Sequence, residues 1–160
     1  MSSGFSLVEV TLALGIVTFC LLLLMGLLLV GLNAMKASRD EAAAVNCLEQ
    51  ISDAIRSGLI DTGSSYHAAG AYSGITWTLG SGAVSVPVTN LSAGGFPTSS
   101  PTEQQYVGRV ELTPPADKSS PGTALISVAW PRQAQWNSST RTWENAQGSV
   151  HIWLVFIPNP

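Results

Sequence analysis

Cationic side chains are absent ahead of Lys36, and the seven that the chain does carry form no run. With a net charge of -3 and a pI near 5.2, that scatter argues against a polyanion binder, because holding phosphates takes concentrated positive charge. No nucleic-acid partner is expected. Cysteine is scarce as well. On one continuous helix Cys20 and Cys47 would stand roughly 40 Å apart at about 1.5 Å per residue, far beyond the ~7 Å that a disulfide spans. Cys20 therefore reads as a small apolar residue and Cys47 as a small helix residue. The sequence has no CxxC, no HExxH and no Cys/His cluster with metal spacing, so neither a metal nor a cofactor is expected. It also lacks a GxSxG elbow, and His67 and His151 stand without recognisable acid and nucleophile partners. Enzymatic chemistry is not expected.

What is present is a long uncharged run. Val10 to Leu32 covers 23 residues without one charged side chain. As a helix it measures about 35 Å, enough to cross a hydrocarbon core of about 30 Å with some tilt. A secretory signal has a shorter apolar region, starts with positive charge and ends in a small-residue cleavage site. Met1-Ser2-Ser3-Gly4 has no basic residue and Gly31-Leu32-Asn33-Ala34 is a poor cleavage site. An uncleaved single-pass membrane anchor is the better reading. Glu9 does not fit a plain anchor. An acid inside a membrane segment costs a few kcal/mol near the bilayer centre and less toward the interface, so it usually has a partner. By position alone, Glu9 marks the aqueous end of the helix or serves as a counter-ion.

The residues around it point to the second role. Gly4-Phe5-Ser6-Leu7-Val8-Glu9, followed by Thr11-Leu12 and the apolar helix, resembles the processing site of type IV prepilins and type II secretion pseudopilins. The same stretch resembles pilin-like cassette proteins of verrucomicrobia and planctomycetes. The resemblance covers roughly the first 60 residues and is specific over Gly4 to Leu32. It implies a prepilin peptidase that cuts after Gly4, methylation of the new amino terminus on Phe5, and Glu9 as the charge that pairs with a terminal amine during assembly. It also implies other pilin or pseudopilin subunits and an inner-membrane assembly platform as partners, with the C-terminal domain outside the cytoplasm. Family leaders normally carry Lys or Arg before the glycine. Here Met1-Ser2-Ser3 has none, while Lys36 and Arg39 follow the span, against the positive-inside rule. Either orientation falls to the targeting machinery or the true start lies upstream.

Beyond the span, Ala34 to Ala44 are mostly strong helix formers with no Pro or Gly. Val45, Leu48, Ile51, Ile55 and Leu59 then recur at 3–4 residue steps, the period of a one-sided helix, until Gly58 and Gly63 end it. A continuous helix from about Ser6 to Ser57 is expected. From Asp61 on, Gly, Ser, Thr and Pro punctuate short β-prone runs. Tyr106 to Thr113 alternates cleanly, with Arg109 and Glu111 on the outer side. Thr123 to Trp130 and Ser149 to Ile157 are evenly apolar and read as inner strands. Ile75 to Leu79 and Ala83 to Val88 are weaker, the second limited by Pro87. Leu91 to Pro101 and Pro114 to Gly122 read as loops, and Gln133 to Asn145 as a hairpin or irregular loop with a strand near Thr140 to Trp143. The expected fold is α+β, a long helix whose second half packs on a small antiparallel sheet. Its parts are a leader (1–4), an apolar assembly helix (5–32), an amphipathic continuation (33–60) and a β-rich head (61–160).

Trp130, Trp136, Trp143 and Trp153 crowd the C-terminal end. Such clusters stack bases or sugars in some proteins, but without flanking basic residues packing on the sheet is the plainer reading. Asp117 reads as a loop acid with too few oxygen neighbours for calcium. Two functions compete: a structural subunit, minor pilin or pseudopilin, that polymerises through its N-terminal helix, and a membrane-anchored surface binding module that does not polymerise.

Overall fold

A serine opens the one long helix. In the computed structural model, which describes residues 6–61 and 63–158, α1 runs from Leu7 to Arg56. The Ser6 Oγ accepts the Val8 N–H at 3.3 Å and the Ser6 carbonyl accepts those of Glu9 and Val10. This is the N-cap arrangement that relieves a helix of unpaired donors. No proline interrupts the segment. At the far end the Gly58 N–H donates to the Ile55 carbonyl at 3.1 Å, and glycine is required there because an added Cβ would stand 2.6 Å from Trp77 Cη2. By its contacts the chain divides into two units, Met1–Arg39 and Asp40–Pro160.

Among the described residues the second unit holds the last turns of α1 and nine strands: β1 (Leu59–Ile60), β2 (Ser65–His67), β3 (Thr76–Thr78), β4 (Val84–Leu91), β5 (Tyr106–Thr113), β6 (Gly122–Trp130), β7 (Gln135–Asn137), β8 (Thr142–Glu144) and β9 (Gly148–Phe156). They form three antiparallel sheets, in the orders β1-β2-β3, β4-β5-β6-β9 and β7-β8. The α+β expectation holds. One face of the four-stranded sheet supplies Val110, Leu112, Ile126, Val128 and Leu154 to a core that α1 completes with Ala44, Cys47, Leu48, Ile51 and Ile55. β5 alternates as expected: Tyr106, Gly108, Val110 and Leu112 are buried, and the residues between them are not.

Three expectations need correction. The helix stripe is rotated from the one expected, because Val45 and Leu59 are exposed while Ala44 and Cys47 are fully buried. Positions 44, 47, 48, 51 and 55 keep the i, i+3, i+4, i+7 spacing; two of them carry side chains too small to announce themselves. Ser149 to Ile157 is not an inner strand. β9 lies at the sheet edge, with Leu154 and Phe156 in the core and Trp153 and Val155 exposed on the opposite face. Its even apolarity comes from two surfaces of different character. Finally, β4 continues through Pro87 to Leu91. It is the other edge strand, where a missing N–H need not break a ladder, and its register shifts between Val88 and Leu91, beside Asn90 at φ 62°.

Candidate functional site

Two places carry polar chemistry beside apolar surface. The first is the start of α1. Gly4 and Phe5, the expected processing pair, lie outside the described residues. Glu9 is in the first helical turn, where a carboxylate complements the helix dipole. Glu9, Ala13 and Val17 follow one line along the helix, with Val10 and Leu14 beside them, and together they border a shallow apolar hollow. No residue of α1 ahead of Ala43 is buried. The two hydroxyls in this stretch are closed off internally: Thr11 Oγ1 donates to the Val8 carbonyl at 2.9 Å and Thr18 Oγ1 to that of Leu14 at 2.8 Å. Backbone and side-chain donors are thus satisfied within the segment, as an apolar solvent requires. By length and composition α1 is able to cross a membrane.

The second place is the outer face of the four-stranded sheet. Antiparallel register sets two rows of side chains across it. Arg109, Ser127 and His151 are in one row; Glu111, Leu125 and Trp153 are in the next. The β7–β8 hairpin is fastened over these rows at three points. Trp143 Nε1 donates to Ser127 Oγ at 2.6 Å. The Arg109 guanidinium stands 5.8 Å from the centre of the Trp136 ring, within cation–π range. The Arg141 Nε approaches Glu111 Oε2 at 3.8 Å. Trp136 and Trp143 pair across the hairpin in register, edge to face, with centroids 5.2 Å apart. A cleft of about 380 Å³ remains between hairpin and sheet.

The hairpin turn sets the mouth of that cleft. Asn137 Oδ1 accepts the Ser139 and Thr140 N–H groups at 3.0 and 3.3 Å, and Asn137 Nδ2 donates to Glu144 Oε1 at 2.6 Å. The turn carries Arg141 into the left-handed region at φ 53°, a conformation that side-chain-bearing residues adopt at a cost. His151, isolated in the sequence, is brought by β9 into this lining. Period-two spacing of Ser149, His151 and Trp153 was the signal available for it. The sequence matches no protein-family model, and no curated protein or solved structure matches it.

Elsewhere the reactive groups are closed off. Cys47 is fully buried, and burial pushes its thiol up to about 11; its sulfur approaches the Ser92 carbonyl at 3.6 Å. The Tyr72 hydroxyl is raised by burial and by its proximity to Cys47. Asp117 sits in the loop before β6, where Oδ1 accepts from Ser119 N, Ser119 Oγ and Ser120 N. Those bonds, first among them the one from the Ser119 hydroxyl, hold its carboxyl below the usual range.

Proposed function

We propose that the chain is a structural subunit, a minor pilin or pseudopilin, of a filament of the type IV pilus or type II secretion kind. A prepilin peptidase cuts after Gly4, Phe5 becomes the methylated amino terminus, and Glu9 neutralises a terminal amine as helices bundle. Before assembly the chain sits in the bacterial inner membrane as a single pass with its head on the periplasmic side. The observation that carries this reading is Glu9 itself, a lone carboxylate in the first turn of a helix whose next 23 residues are uncharged. Phe5 precedes Glu9 by four residues in the sequence, so an amine released there belongs to the same end of the chain as the carboxylate. An ion pair that loses one partner in an apolar setting costs about 3–5 kcal/mol, enough to select register in a bundle.

Coexpression with a prepilin peptidase tests the reading. Intact mass should show residues 1–4 lost and one methyl group gained. A Glu9→Ala variant should still insert into the membrane and be cut, but fail to enter filaments; normal incorporation would refute the assigned role of Glu9. A second reading, an anchored binding module that does not polymerise, is favoured by the tryptophan-lined cleft. It predicts an uncut leader and a solitary chain in the bilayer.

A further inference from the structure

The cleft on the head holds more than packing requires. Trp136 and Trp143 brace one another and the sheet, so a structural role accounts for them. Trp153 has no such account: it is 66% exposed on an edge strand, pointing away from the core beside Leu125, its register partner. Arg141 is similar. It is strained at φ 53°, and its one ion pair is long and has a side chain 68% exposed, a type of contact worth little. Its left-handed conformation belongs to the turn that joins β7 and β8, and that turn sets the side chain in the lining of the cleft.

We propose that this cleft binds one pyranose ring of a glycan. At about 380 Å³ it falls near the lower end of the roughly 300–1,000 Å³ of small-ligand sites, too small for a folded partner. A pyranose presents a flat C–H face and a rim of hydroxyls. The indole of Trp153 and the side chain of Leu125 offer the apolar platform that such a face covers, since an aromatic ring's negative face attracts polarised C–H groups. Ser127, Ser149 and His151 are placed for the rim, and Arg141 at the mouth supplies a forked donor. The charges decide between ligand classes. Arg141 lines the cleft and, among the described residues, no acid does, while Arg109 stands against Trp136, one of its walls; this charge balance disfavours quaternary ammonium and other cations. A net charge of -3 disfavours a nucleic acid strand. A neutral or acidic sugar fits both.

The site stands apart from the filament reading, and its test uses the unassembled full-length chain, so either proposal can fail alone. The chain is held in a detergent without a sugar headgroup and titrated with methyl glycosides of glucose, N-acetylglucosamine and glucuronic acid, followed by indole fluorescence. We expect saturable binding of at least one glycoside, weakened tenfold or more in Trp153→Ala and in Arg141→Gly. Glycine is at ease at a positive φ, so Arg141→Gly should unfold at a midpoint no lower than the parent and separates lost binding from lost folding. Three results would overturn the proposal: no saturable response to any of the three glycosides, binding unchanged in both variants, or equal displacement by tetramethylammonium or oligothymidylate. Concentration-dependent dimers that Trp153→Ala abolishes, without glycoside binding, would reassign the surface to a second copy of the chain.

Discussion

Replacing Ile51 by alanine tests which side of the helix is seated on the sheet. Ile51 is fully buried, between Leu48 and Ile55 on the covered stripe. The substitution deletes three carbons, a transfer loss of about 2.4 kcal/mol at about 0.8 kcal/mol per buried methylene. The cavity adds to this, giving about 3–4 kcal/mol within the 2–5 kcal/mol usual for such truncations. At roughly 4 °C per kcal/mol, the unfolding midpoint should fall by about 12–16 °C. Val45→Ala is the control. Val45 belongs to the stripe read from large apolar residues but is 40% exposed, so its loss should cost below about 1 kcal/mol. Thermal unfolding followed by near-ultraviolet circular dichroism, to which the buried Trp77 contributes, reads both. Equal midpoints for the two variants, or a larger loss at Val45, would refute the seating of α1 described above.

The remaining predictions concern close approaches and titrating groups. Gly58→Ala should destabilise the second unit by about 1–3 kcal/mol, as overpacking does, because Trp77 is held by Tyr66 at 6.0 Å and Phe156 at 5.6 Å and cannot yield; an unchanged melt would contradict that contact. Cys47 should resist iodoacetamide in the native chain at pH 7.5 and react once denatured, since the thiolate is the nucleophile and its thiol is raised to about 11. Because the fold favours the neutral thiol, its contribution is whole below the ordinary value of 9.0 and is lost as pH rises toward about 11, a slope that Cys47→Ala should flatten. Asp117 has the opposite sign. Its contribution to loop order is present above the ordinary 3.8 and is lost as pH falls through the lowered folded value. Protection of the Ser119 and Ser120 amides, taken relative to the intrinsic exchange rate at each pH, should therefore fall in acid, and Asp117→Asn should remove that dependence.

The contrast between β5 and β9 shows what pattern reading can resolve. β5 was legible residue by residue because Arg109, Glu111 and Thr113 mark its wet face, where Val107 is the one apolar side chain. In β9 the inner face is apolar and the outer face mixes Ser149 and His151 with Trp153 and Val155, and periodicity cannot tell a surface covered by a core from one lining a cleft. The segment of β7 and β8 was legible only as a hairpin or irregular loop with one strand near Thr140 to Trp143, and neither β7 nor the position over Ser127 was, since no local pattern encodes a long-range indole–hydroxyl bond. Strands as short as β1 and β2 leave no period to read. The helix stripe was offset because large side chains dominate a hydropathy pattern, whereas close seating selects small ones such as Ala44 and Cys47. The N-terminal candidates were legible in full as residues, yet nothing in the head bears on them; Glu9 alone of the three lies among the described residues.

The apolar half of α1 sets a constraint of its own. Between Val10 and Leu32, sixteen large apolar side chains are exposed. At about 1.5–3 kcal/mol each they represent roughly 25–50 kcal/mol of unburied surface, and even half of that exceeds much of the usual 5–15 kcal/mol stability of a domain. Water is a costly solvent for this segment; in the proposed filament lipid and neighbouring helices take its place. Moving from one to the other gains little from hydrophobic burial, because lipid tails are as apolar as leucine. The preference for a bundle must then come from close packing and from polar groups that lipid leaves unpaired. Within that stretch the threonine hydroxyls are already closed on their own helix. Glu9, at its head, is the group whose energy changes most when a neighbouring amine arrives, so in the proposed filament one carboxylate decides between dispersal in the membrane and assembly.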